Sequence, residues 1–529
     1  MSHADLYRCL DFGGKDDYRK LDLPAPVLRG GILEIESDTL AELSRIAFSE
    51  IAFKYPVGHL ELLAAILSDE KAGESEKFVV ETLLRNAAIA AEGVLPMCQD
   101  TGTALIYGWK GEGVGTTGGA DAAEALSRGA AKAYAERRLR KSQLGPLSAT
   151  AEKNTGDNLP AAIDLRAVPG GSFRLLFAAK GGGSSSKTSL SMESPAVLRG
   201  EGLEKALAAR IGALGASACP PYSIAVALGG ATPSQALYAM ELAAWGLLDR
   251  LPAEAAADGS PLRSAEGEAI VEKLAAGTGV GAQWGGRHLA LETRFIRLSR
   301  HAANLPLAVG VSCSAHRKAR AYVDESGWYL EKLEDDPARL LPASRAAFRG
   351  AARIDLDEPR ETWLEALRRL PAGSAVLLSG TVTIARDLAH ARIAAAMEGG
   401  APPPEYFVEH PVFYAGPTDP APGAVTGSFG PTTAARMDPY LAPFTAAGAS
   451  LVTIAKGPRG KAAADAIAAA RGVYLAGIGG AAAIAAREQV VDSRIIDYED
   501  LGMEAVRLVT LRDYPAIVVI DASGASFYH

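Results

Sequence analysis

The first part of the chain carries a helical pattern of hydrophobic and polar residues. Between about residues 38 and 93, apolar side chains recur every three or four positions, and Leu40, Leu43 and Ile46 fall on one face with charges opposite. A glycine and a proline then end the pattern. An alanine-rich segment at residues 120–139 is also helical in character, so we predict helices in both regions.

Short apolar runs predict strands in the same half of the chain. Residues 101–111 leave a polar turn, and Phe173–Ala179 lead directly into three glycines. Ile224–Leu228 form a third run, and a predicted helix at Ser234–Leu247 follows it. We expect an α+β N-terminal domain in which helices predominate.

Beyond about residue 350, strand-like runs alternate with alanine-rich helices, which is typical of an α/β domain. The preceding segment, residues 331–345, is charged and contains prolines, so it indicates a domain boundary. We therefore predict domains at residues 1–340 and 350–529. The predicted strands are Ala375–Leu378, Ser450–Ile454, Val473–Ala476 and Ala516–Ile520, and the predicted helices are Ala385–Met397, Ala462–Ala470 and Ala481–Arg487.

Composition is that of an ordinary globular protein. Of the 529 residues, 48% are hydrophobic and 22% are charged, which is enough to bury large cores in two to four domains. The chain has only four cysteines, and this excludes a secreted scaffold held together by disulfides.

The charge balance and the apolar stretches limit the partners. A net charge of −8 gives no electrostatic case for nucleic acid or an anionic membrane surface. The N-terminal residues lack the apolar run of a secretory signal. The longest uncharged stretch, Ile211–Met240, contains three prolines, which a simple transmembrane helix tolerates poorly. We expect a soluble, cytoplasmic protein that binds neither nucleic acid nor membrane, while an anionic small molecule remains compatible with the sequence.

Two glycine-rich segments resemble nucleotide-binding motifs without fitting them. In Gly181–Thr188, Ser186 stands where a phosphate-binding loop needs its second glycine. Such a turn still presents backbone N–H groups to a small anion, so it is interpreted as a carboxylate-binding or metal-flanking turn, or as a plain structural one. Gly477–Ala482 fits the dinucleotide pattern, with Asp497 beyond it, but too little chain follows for a complete dinucleotide domain. Close helix–strand packing explains it better, and an NAD-dependent dehydrogenase is the weakest hypothesis.

Three cysteines have neighbourhoods that suggest chemistry. Cys98 precedes a polar turn, Cys219 precedes two prolines, and Cys313 lies between two serines shortly before a His-Arg-Lys run. Their wide spacing, with no C-x-x-C, says little by itself. Inert buried thiols and thiolates that share a metal cluster both remain open.

The C-terminal part has three junctions that combine a cation with a turn or glycine. Residues 430–433 form a turn entering a predicted helix, and Arg436 lies about one turn further on. Residues 380–386 end in Arg386, and Lys456 precedes a glycine. A threonine N-cap is the simplest account of the first junction. Three such junctions in one small domain nevertheless predict a pocket for a multiply charged anion.

Longer motifs carry a family resemblance. PMCQDTGT, NTGDNLPA, AKGGGS, ACPPY, VSCSAHR, SGTVTIARD and GSFGPTTAARMD appear in the order of class I fumarate hydratases, the iron–sulfur type, in the single-chain fused form. The resemblance runs from about residue 45 to the end. It implies a two-domain architecture with a smaller C-terminal α/β domain of the swivelling type, and a homodimer. It also implies a [4Fe–4S] cluster held by Cys98, Cys219 and Cys313, and leaves Cys9 without a role.

The resemblance also implies a reaction and its residues. The reaction is the reversible hydration of fumarate to (S)-malate, with the open iron acting as a Lewis acid. Thr432 is implied as the base, with Asp100 nearby and His301 as an active-site group. A neutral threonine is a poor base, so a positioning hydroxyl or a helix cap remain alternatives for Thr432. The implied substrate-binding residues are Gln99, Arg140, Gly183, Arg386, Arg436 and Lys456.

The sequence departs from the family pattern at a few positions. Ser189 and Ser191 replace two aromatic residues, and Ala435 replaces a glycine. The two serine substitutions leave the hydro-lyase class intact but put exclusive use of fumarate in doubt, with mesaconate or tartrate as alternative substrates. A different class of protein, an iron–sulfur redox sensor without activity, would need the cysteines but not the substrate-binding cations.

Overall fold

The helices of the N-terminal half form where the sequence carries amphipathic periodicity. The computed structural model describes residue 6 and residues 8–255, 259–343, 348 and 350–528. In the helix Ser37–Ile51, residues Leu40, Leu43 and Ala47 are fully buried, so the predicted apolar face is the one that packs. The longer helices of this half are Ser37–Ile51, Val57–Ser68, Glu74–Ala91, Ala122–Glu136, Gly202–Gly212, Pro233–Ala244 and Ala265–Gly277.

A six-stranded sheet packs against the helices Ser37–Ile51 and Ala122–Glu136. Along the strand Arg317–Asp324, buried and half-buried residues alternate, and Ala319, Ala321 and Val323 face the helices. In order across the sheet, the strands are Tyr18–Lys20, Gly327–Glu331, Arg317–Asp324, Phe173–Lys180, Thr103–Gly111 and Ala162–Val168.

A five-stranded sheet forms the second layer of this half. Its central strand, Tyr222–Gly230, is buried at every position, which matches its continuous apolar sequence. In order, the strands are Ser189–Glu193, Leu305–Ser312, Tyr222–Gly230, Ala290–Arg300 and Leu262–Arg263. Two small sheets are formed by Val27–Arg29, Ile32–Glu36 and Val114–Thr117, and by Leu144–Pro146 and Glu152–Asn154.

The C-terminal part is built on one seven-stranded sheet. Its first five strands pair in parallel, with helices between several of them, and the last two are antiparallel. In order, the strands are Ala352–Asp355, Ala375–Ile384, Val412–Phe413, Val452–Ala455, Val473–Gly477, Val506–Ile520 and Val490–Asp497. The longer helices are Arg360–Arg368, Asp387–Glu398, Asp438–Ala446 and Lys461–Ala469.

One apolar core joins the two parts of the chain. Leu83 and Leu84 of the long N-terminal helix pack with Ala483 and Ile484 of the C-terminal part. At this junction the buried Asn86 donates from Nδ2 to the carbonyl oxygens of Met97 (2.9 Å) and Gly480 (3.2 Å), and its Oδ1 accepts from the backbone of Ala483 (2.8 Å). A buried amide with all these bonds satisfied fixes the register of the two parts.

The predicted elements are confirmed in kind, with boundaries shifted by a few residues. The helix predicted at 120–139 is Ala122–Glu136, and the strand predicted at Ala516–Ile520 extends over Val506–Ile520. The expectation of a mostly helical N-terminal domain is wrong, because this half holds nearly as many strand residues as helical ones. Strands such as Arg317–Asp324 have few large apolar residues, so the face that becomes buried cannot be recognised from the sequence. Within the described ranges, no helix is long and apolar enough to cross a membrane.

Two buried histidines predict acid sensitivity of the fold. His59 and His390 are 5% and 1% exposed, and burial lowers the pKa of both imidazoles to about 4. Because an unfolded histidine titrates near 6.5, the unfolded chain binds protons first as the pH falls. The free energy of unfolding should therefore fall between about pH 6.5 and 4, by up to about 3 kcal/mol per histidine. Urea unfolding at pH 7 and pH 5 measures this, and a His390→Asn variant that keeps the full acid sensitivity contradicts the assignment for His390.

Candidate active site

A cleft of about 650 Å³ lies where the two parts of the chain meet. The N-terminal half contributes the turn after Cys98 and the glycine turn after Lys180, and the C-terminal part contributes residues 432–436 and Lys456. Of the residues predicted for the site, the cleft is lined by Gln99, Asp100, Gly183, Arg140, Thr432, Arg436 and Lys456.

Asp100 is held by the glycine turn that the sequence singled out. Its Oδ2 accepts a hydrogen bond from the backbone N–H of Gly182 (2.9 Å), and its Oδ1 lies 3.8 Å from Nη2 of Arg140. A Cβ at Gly181 would crowd Asp100 Oδ2, so this position favours glycine. Burial alone would raise the pKa of Asp100, but Arg140 and the other nearby cations outweigh it and hold that pKa below its usual value.

Arg140 and Gln99 are also held in place by their neighbours. Nε of Arg140 donates to Oγ of Ser142 (3.0 Å), which orients the guanidinium towards the cleft. Nε2 of Gln99 donates to the carbonyl oxygen of Pro431 (3.0 Å), and this bond links the two parts of the chain across the cleft. The Sγ of Cys98 lies 3.5 Å from Oε1 of the same amide. Gln99 therefore connects a candidate cluster ligand to the turn that carries Thr432.

Thr432 lies on the C-terminal wall, and its hydroxyl is bonded to a cation. Nη1 of Arg436 donates to Oγ1 of Thr432 (3.0 Å), while Nε of the same arginine donates to Asp387 (2.9 Å). The backbone of Thr432 bonds to Tyr414 on one side and to Lys456 on the other. Thr432 is not a helix cap, because the residue before the short helix Ala434–Met437 is Thr433, whose side chain makes no capping bond.

Arg386 lies behind the cleft wall. It is 4% exposed and its Nη2 donates to Oε1 of Glu504 (2.8 Å). Burial lowers the pKa of Arg386 to about 10, and the positive charges of Arg140 and Arg436 contribute to this. Three cations therefore converge on one region, although Arg386 is not among the residues that line the cleft.

Lys456 connects the cleft to one of the cysteines. Its Nζ donates to the Sγ of Cys219 at 2.7 Å. Burial would lower the pKa of this ammonium, but the charges of Cys219 and Cys98 outweigh burial and raise it. A protonated lysine at this distance favours the thiolate form of Cys219.

The three predicted cysteines lie near one another, since their charges affect each other's pKa, although none of them is among the residues that line the cleft. Burial raises the pKa of the Cys219 thiol to about 12, and the charges of Cys313 and Cys98 add to the increase. Burial likewise raises the pKa of Cys98, with a contribution from Cys313. Among the described residues no three His, Cys, Asp or Glu side chains are arranged to hold a single metal ion.

The backbone of Gly479 packs directly against the sulfur of Cys219. Cys219 itself has a φ of 65°, a conformation that non-glycine residues rarely adopt. A Cβ at Gly479 would overlap the Sγ of Cys219, and Gly479 is fixed by Gln283, which bonds both its N–H (2.7 Å) and its carbonyl oxygen (2.9 Å). Three thiols, a lysine on one of them and a glycine facing the sulfur fit the ligand set of an iron–sulfur cluster.

This contact corrects the reading of the Gly477–Ala482 motif. The sequence favoured close helix–strand packing, but Gly479 faces the cysteine loop of the N-terminal half. A Cβ at Gly477 would in turn overlap the hydroxyl of Tyr514 on a neighbouring strand. Gly479 therefore serves the contact between the two parts of the chain, and Gly477 leaves space for Tyr514 within the C-terminal sheet.

His301 does not reach the cleft of its own chain. It is exposed in the turn that follows the strand Ala290–Arg300, and its Nδ1 accepts from the backbone of Ala303. The eight residues of Leu305–Ser312 then separate this turn from Cys313. At roughly 3.3 Å per residue, they span about 26 Å. Cys9 is likewise away from the other three cysteines and packs near Trp109 and Leu176.

Several cleft residues were not predicted from sequence. Lys187 lines the cleft, bonded from Nζ to the carbonyl oxygen of Ala213 (2.9 Å), and burial lowers its pKa. Ser142 also lines the cleft. Arg317, which lies inside the motif VSCSAHR and bonds to the carbonyl oxygen of Asp100, was missed as well, although it is not part of the lining. A cation or hydroxyl inside a long motif is the signal that could have found them.

Comparisons with known proteins agree with these observations. The family described as "Fumarate hydratase (Fumerase)" matches residues 41–322, and the family described as "Fumarase C-terminus" matches residues 327–529. "Fumarate hydratase 2" of Leishmania major is 41% identical over 498 residues, which cover 94% of this chain and 87% of that protein. "Fumarate hydratase class I, aerobic" of Escherichia coli K12 is 42% identical over 499 residues, which cover 94% and 91%.

A more distant relative carries another name. "Putative L(+)-tartrate dehydratase subunit alpha" of Methanocaldococcus jannaschii is 28% identical over 286 residues, which cover 54% of this chain and 95% of that protein.

Proposed function

Because this chain belongs to the class I fumarate hydratase family, we propose that it is a hydro-lyase that adds water reversibly to fumarate to give (S)-malate. The observation that carries the proposal is the cleft, in which Arg140, Arg436 and Lys456 surround Asp100 and Thr432. This arrangement combines sites for two carboxylates with groups that hold or move a proton.

The cations set the substrate class. A dicarboxylate brings two negative charges into a cleft that already holds Asp100 and lies beside buried thiols. Unpaired buried charge is costly, so several cations must offset it. Arg140 and Arg436 can each engage both oxygens of a carboxylate, and Lys456 adds a point charge between the substrate and Cys219. Arg386, behind the wall, adds to the positive potential. Gln99 and the backbone of Gly183 supply further donors.

Cys98, Cys219 and Cys313 would hold a [4Fe–4S] cluster. Three protein ligands leave one iron open, and when bound the cluster supplies a Lewis acid for the substrate hydroxyl and carboxylate. The chain's own residues have three further roles: the bond from Lys456 favours the thiolate form of Cys219, and Gln283 and Gly479 shape the wall beside its sulfur.

Thr432 is proposed as the group that takes the carbon-bound proton of malate, in its alkoxide form, after its own hydroxyl proton has passed to solvent in the cleft. Its Oγ1 accepts a bond from Arg436, so the negative charge of that alkoxide is stabilised by a cation at 3.0 Å, and transfer of the carbon-bound proton restores the neutral hydroxyl. This contact removes part of the objection that a neutral threonine is a weak base. Asp100, which Gly182 and Arg140 keep ionised, is placed to exchange a proton on the other wall.

Fumarate is favoured over mesaconate and tartrate by the position of the altered residues. Ser191 bonds to Glu193 and Arg210 on the edge of the five-stranded sheet, and neither Ser189 nor Ser191 lines the cleft. The two serine substitutions therefore lie away from the cleft, whereas Ala435, the third departure from the family pattern, lines it and differs from glycine by one methyl group.

Kinetics on a substrate panel test this preference. We expect kcat/KM of the anaerobically purified enzyme to be highest for fumarate, with mesaconate and tartrate at least tenfold lower. A higher value for either alternative contradicts the assignment. A brown protein that turns over none of the three would favour the redox sensor.

We also propose a cytoplasmic location, a division into residues 1–340 and 350–529, and a homodimer. The four cysteines are free thiols, which agrees with a reducing compartment. The case for a dimer comes from His301: since it lies far from the cleft of its own chain, it can join the reaction only if a second copy brings it.

Mixed dimers test the role of His301. A dimer of one His301→Asn chain and one Thr432→Ala chain, separated by two affinity tags, has one intact site if histidine acts across the interface. We expect about half the activity of the wild-type dimer. Activity no higher than in the two single-variant homodimers contradicts this arrangement.

A further inference from the structure

Arg317 is a buried cation that the resemblance does not assign. It begins the strand Arg317–Asp324, whose alternate residues Ala319, Ala321 and Val323 face the apolar core. The arginine occupies the same face at the end nearest the cleft and is 2% exposed. A guanidinium at the end of an apolar row needs a specific partner, because burying an unpaired charge is costly.

The partners of Arg317 lie in the site. Its Nη1 donates to the carbonyl oxygen of Asp100 at 2.7 Å, and its Nη2 borders Gly181, where a Cβ would lie 3.7 Å away. Its Nε has no partner, and no carboxylate in the described ranges forms an ion pair with it. One carbonyl oxygen does not balance a full buried charge.

Arg320 shows what the usual solution looks like on the same strand. Its Nη2 donates to Oε1 of Glu331 (2.6 Å), so that guanidinium has its own carboxylate. The nearest negative groups around Arg317 are different: the charges of Cys98, Cys313 and Asp100 outweigh burial and raise the pKa of Arg317. The strand thus holds one arginine compensated by glutamate and one that faces the thiol ligands.

We propose that Arg317 is a positioning residue that serves as the counter-cation of the cluster on the side of Cys98 and Cys313. Its bond to the Asp100 carbonyl fixes the Cys98–Asp100 turn, and its charge balances the thiolates of the two cysteines. Lys456 does the same at Cys219, so each side of the thiol set has one buried cation. This inference rests on the proposed cluster.

The reduction potential of the cluster tests the charge directly. Nearby positive charge favours the reduced state, since reduction adds an electron to an anionic centre. Arg317→Gln should therefore shift the midpoint potential to a more negative value. The potential of Arg317→Lys should lie between that of Arg317→Gln and that of the wild type. Arg320→Gln, which removes a half-buried arginine from the same strand, should leave the potential unchanged. The readout is the reduced-cluster EPR signal in an anaerobic redox titration. A wild-type potential in Arg317→Gln, or an equal shift in Arg320→Gln, overturns the proposal.

If Arg317→Gln does not retain iron, its potential cannot be measured, and uptake of iron and sulfide by the apoprotein tests the proposal instead. Circular dichroism of the apoproteins first establishes that each variant folds. If Arg317→Lys and Arg320→Gln take up iron and sulfide while Arg317→Gln does not, the positive charge is required. Failure of Arg317→Lys with a folded apoprotein means that shape is needed rather than charge, and this overturns the proposal. A wild-type protein that binds no iron would instead reject the proposed cluster itself.

Discussion

Cys219→Ser is expected to lose bound iron and fumarate hydration together. The sulfur of Cys219 accepts a hydrogen bond from Lys456, and the backbone of Gly479 packs against it. A serine hydroxyl stays protonated near neutral pH and is a poor ligand for iron, so one corner of the cluster would have no protein ligand. Iron and sulfide analysis after anaerobic purification should show most of both lost, and kcat should fall at least a thousandfold.

Cys9→Ser is the matched control for this loss. Cys9 lies in an apolar cluster away from the other cysteines, so its replacement should leave iron content and turnover near wild type. If Cys219→Ser retains a full complement of iron and sulfide, Cys219 is not a ligand and the proposed site is wrong.

Thr432→Ala is expected to keep the cluster absorption and lose most turnover. The hydroxyl is within hydrogen-bond distance of Arg436 and lies on the cleft wall, but it touches none of the three cysteines. Loss of a group that moves a proton in the transition state typically costs about 10²- to 10⁴-fold in rate. We expect kcat to fall within this range and KM to change much less.

Two further variants separate the hydroxyl from the local backbone. Thr432→Ser keeps a hydroxyl and should recover part of the rate. Thr433→Ala alters the next residue, whose side chain makes no capping bond, and should cost far less. Near wild-type kcat in Thr432→Ala would remove the assignment of Thr432 as the proton-transfer group.

The sequence predicted the elements better than the places where they meet. Periodicity located the helix Ser37–Ile51 and the strand Phe173–Lys180 because each has a continuous local pattern. It missed the strand content of the N-terminal half, since the four buried positions of Arg317–Asp324 are one arginine, two alanines and one valine, which make no strong apolar pattern. Local patterns cannot reveal which small residues face a core that forms only in the tertiary fold.

For the candidate site too, the sequence predicted individual residues better than their positions in the folded chain. The motifs identified Gln99, Asp100 and Thr432, which line one cleft, because each long motif carries several site residues at once. The motifs did not reveal that Arg386 lies behind the cleft wall or that His301 lies far from the cleft, since a motif holds no information on distance. The role of Gly479 depends on a contact with Cys219, far away in sequence, and only the folded chain brings the two together.

Anaerobic purification with a fumarate assay tests the central claim most directly. The wild-type protein should be brown, contain about four irons and four sulfides per chain, and convert fumarate to malate without NAD. Exposure to air should remove iron and activity in parallel. A colourless protein that hydrates fumarate at full rate, or a protein with a complete cluster that leaves fumarate unchanged, would contradict the account.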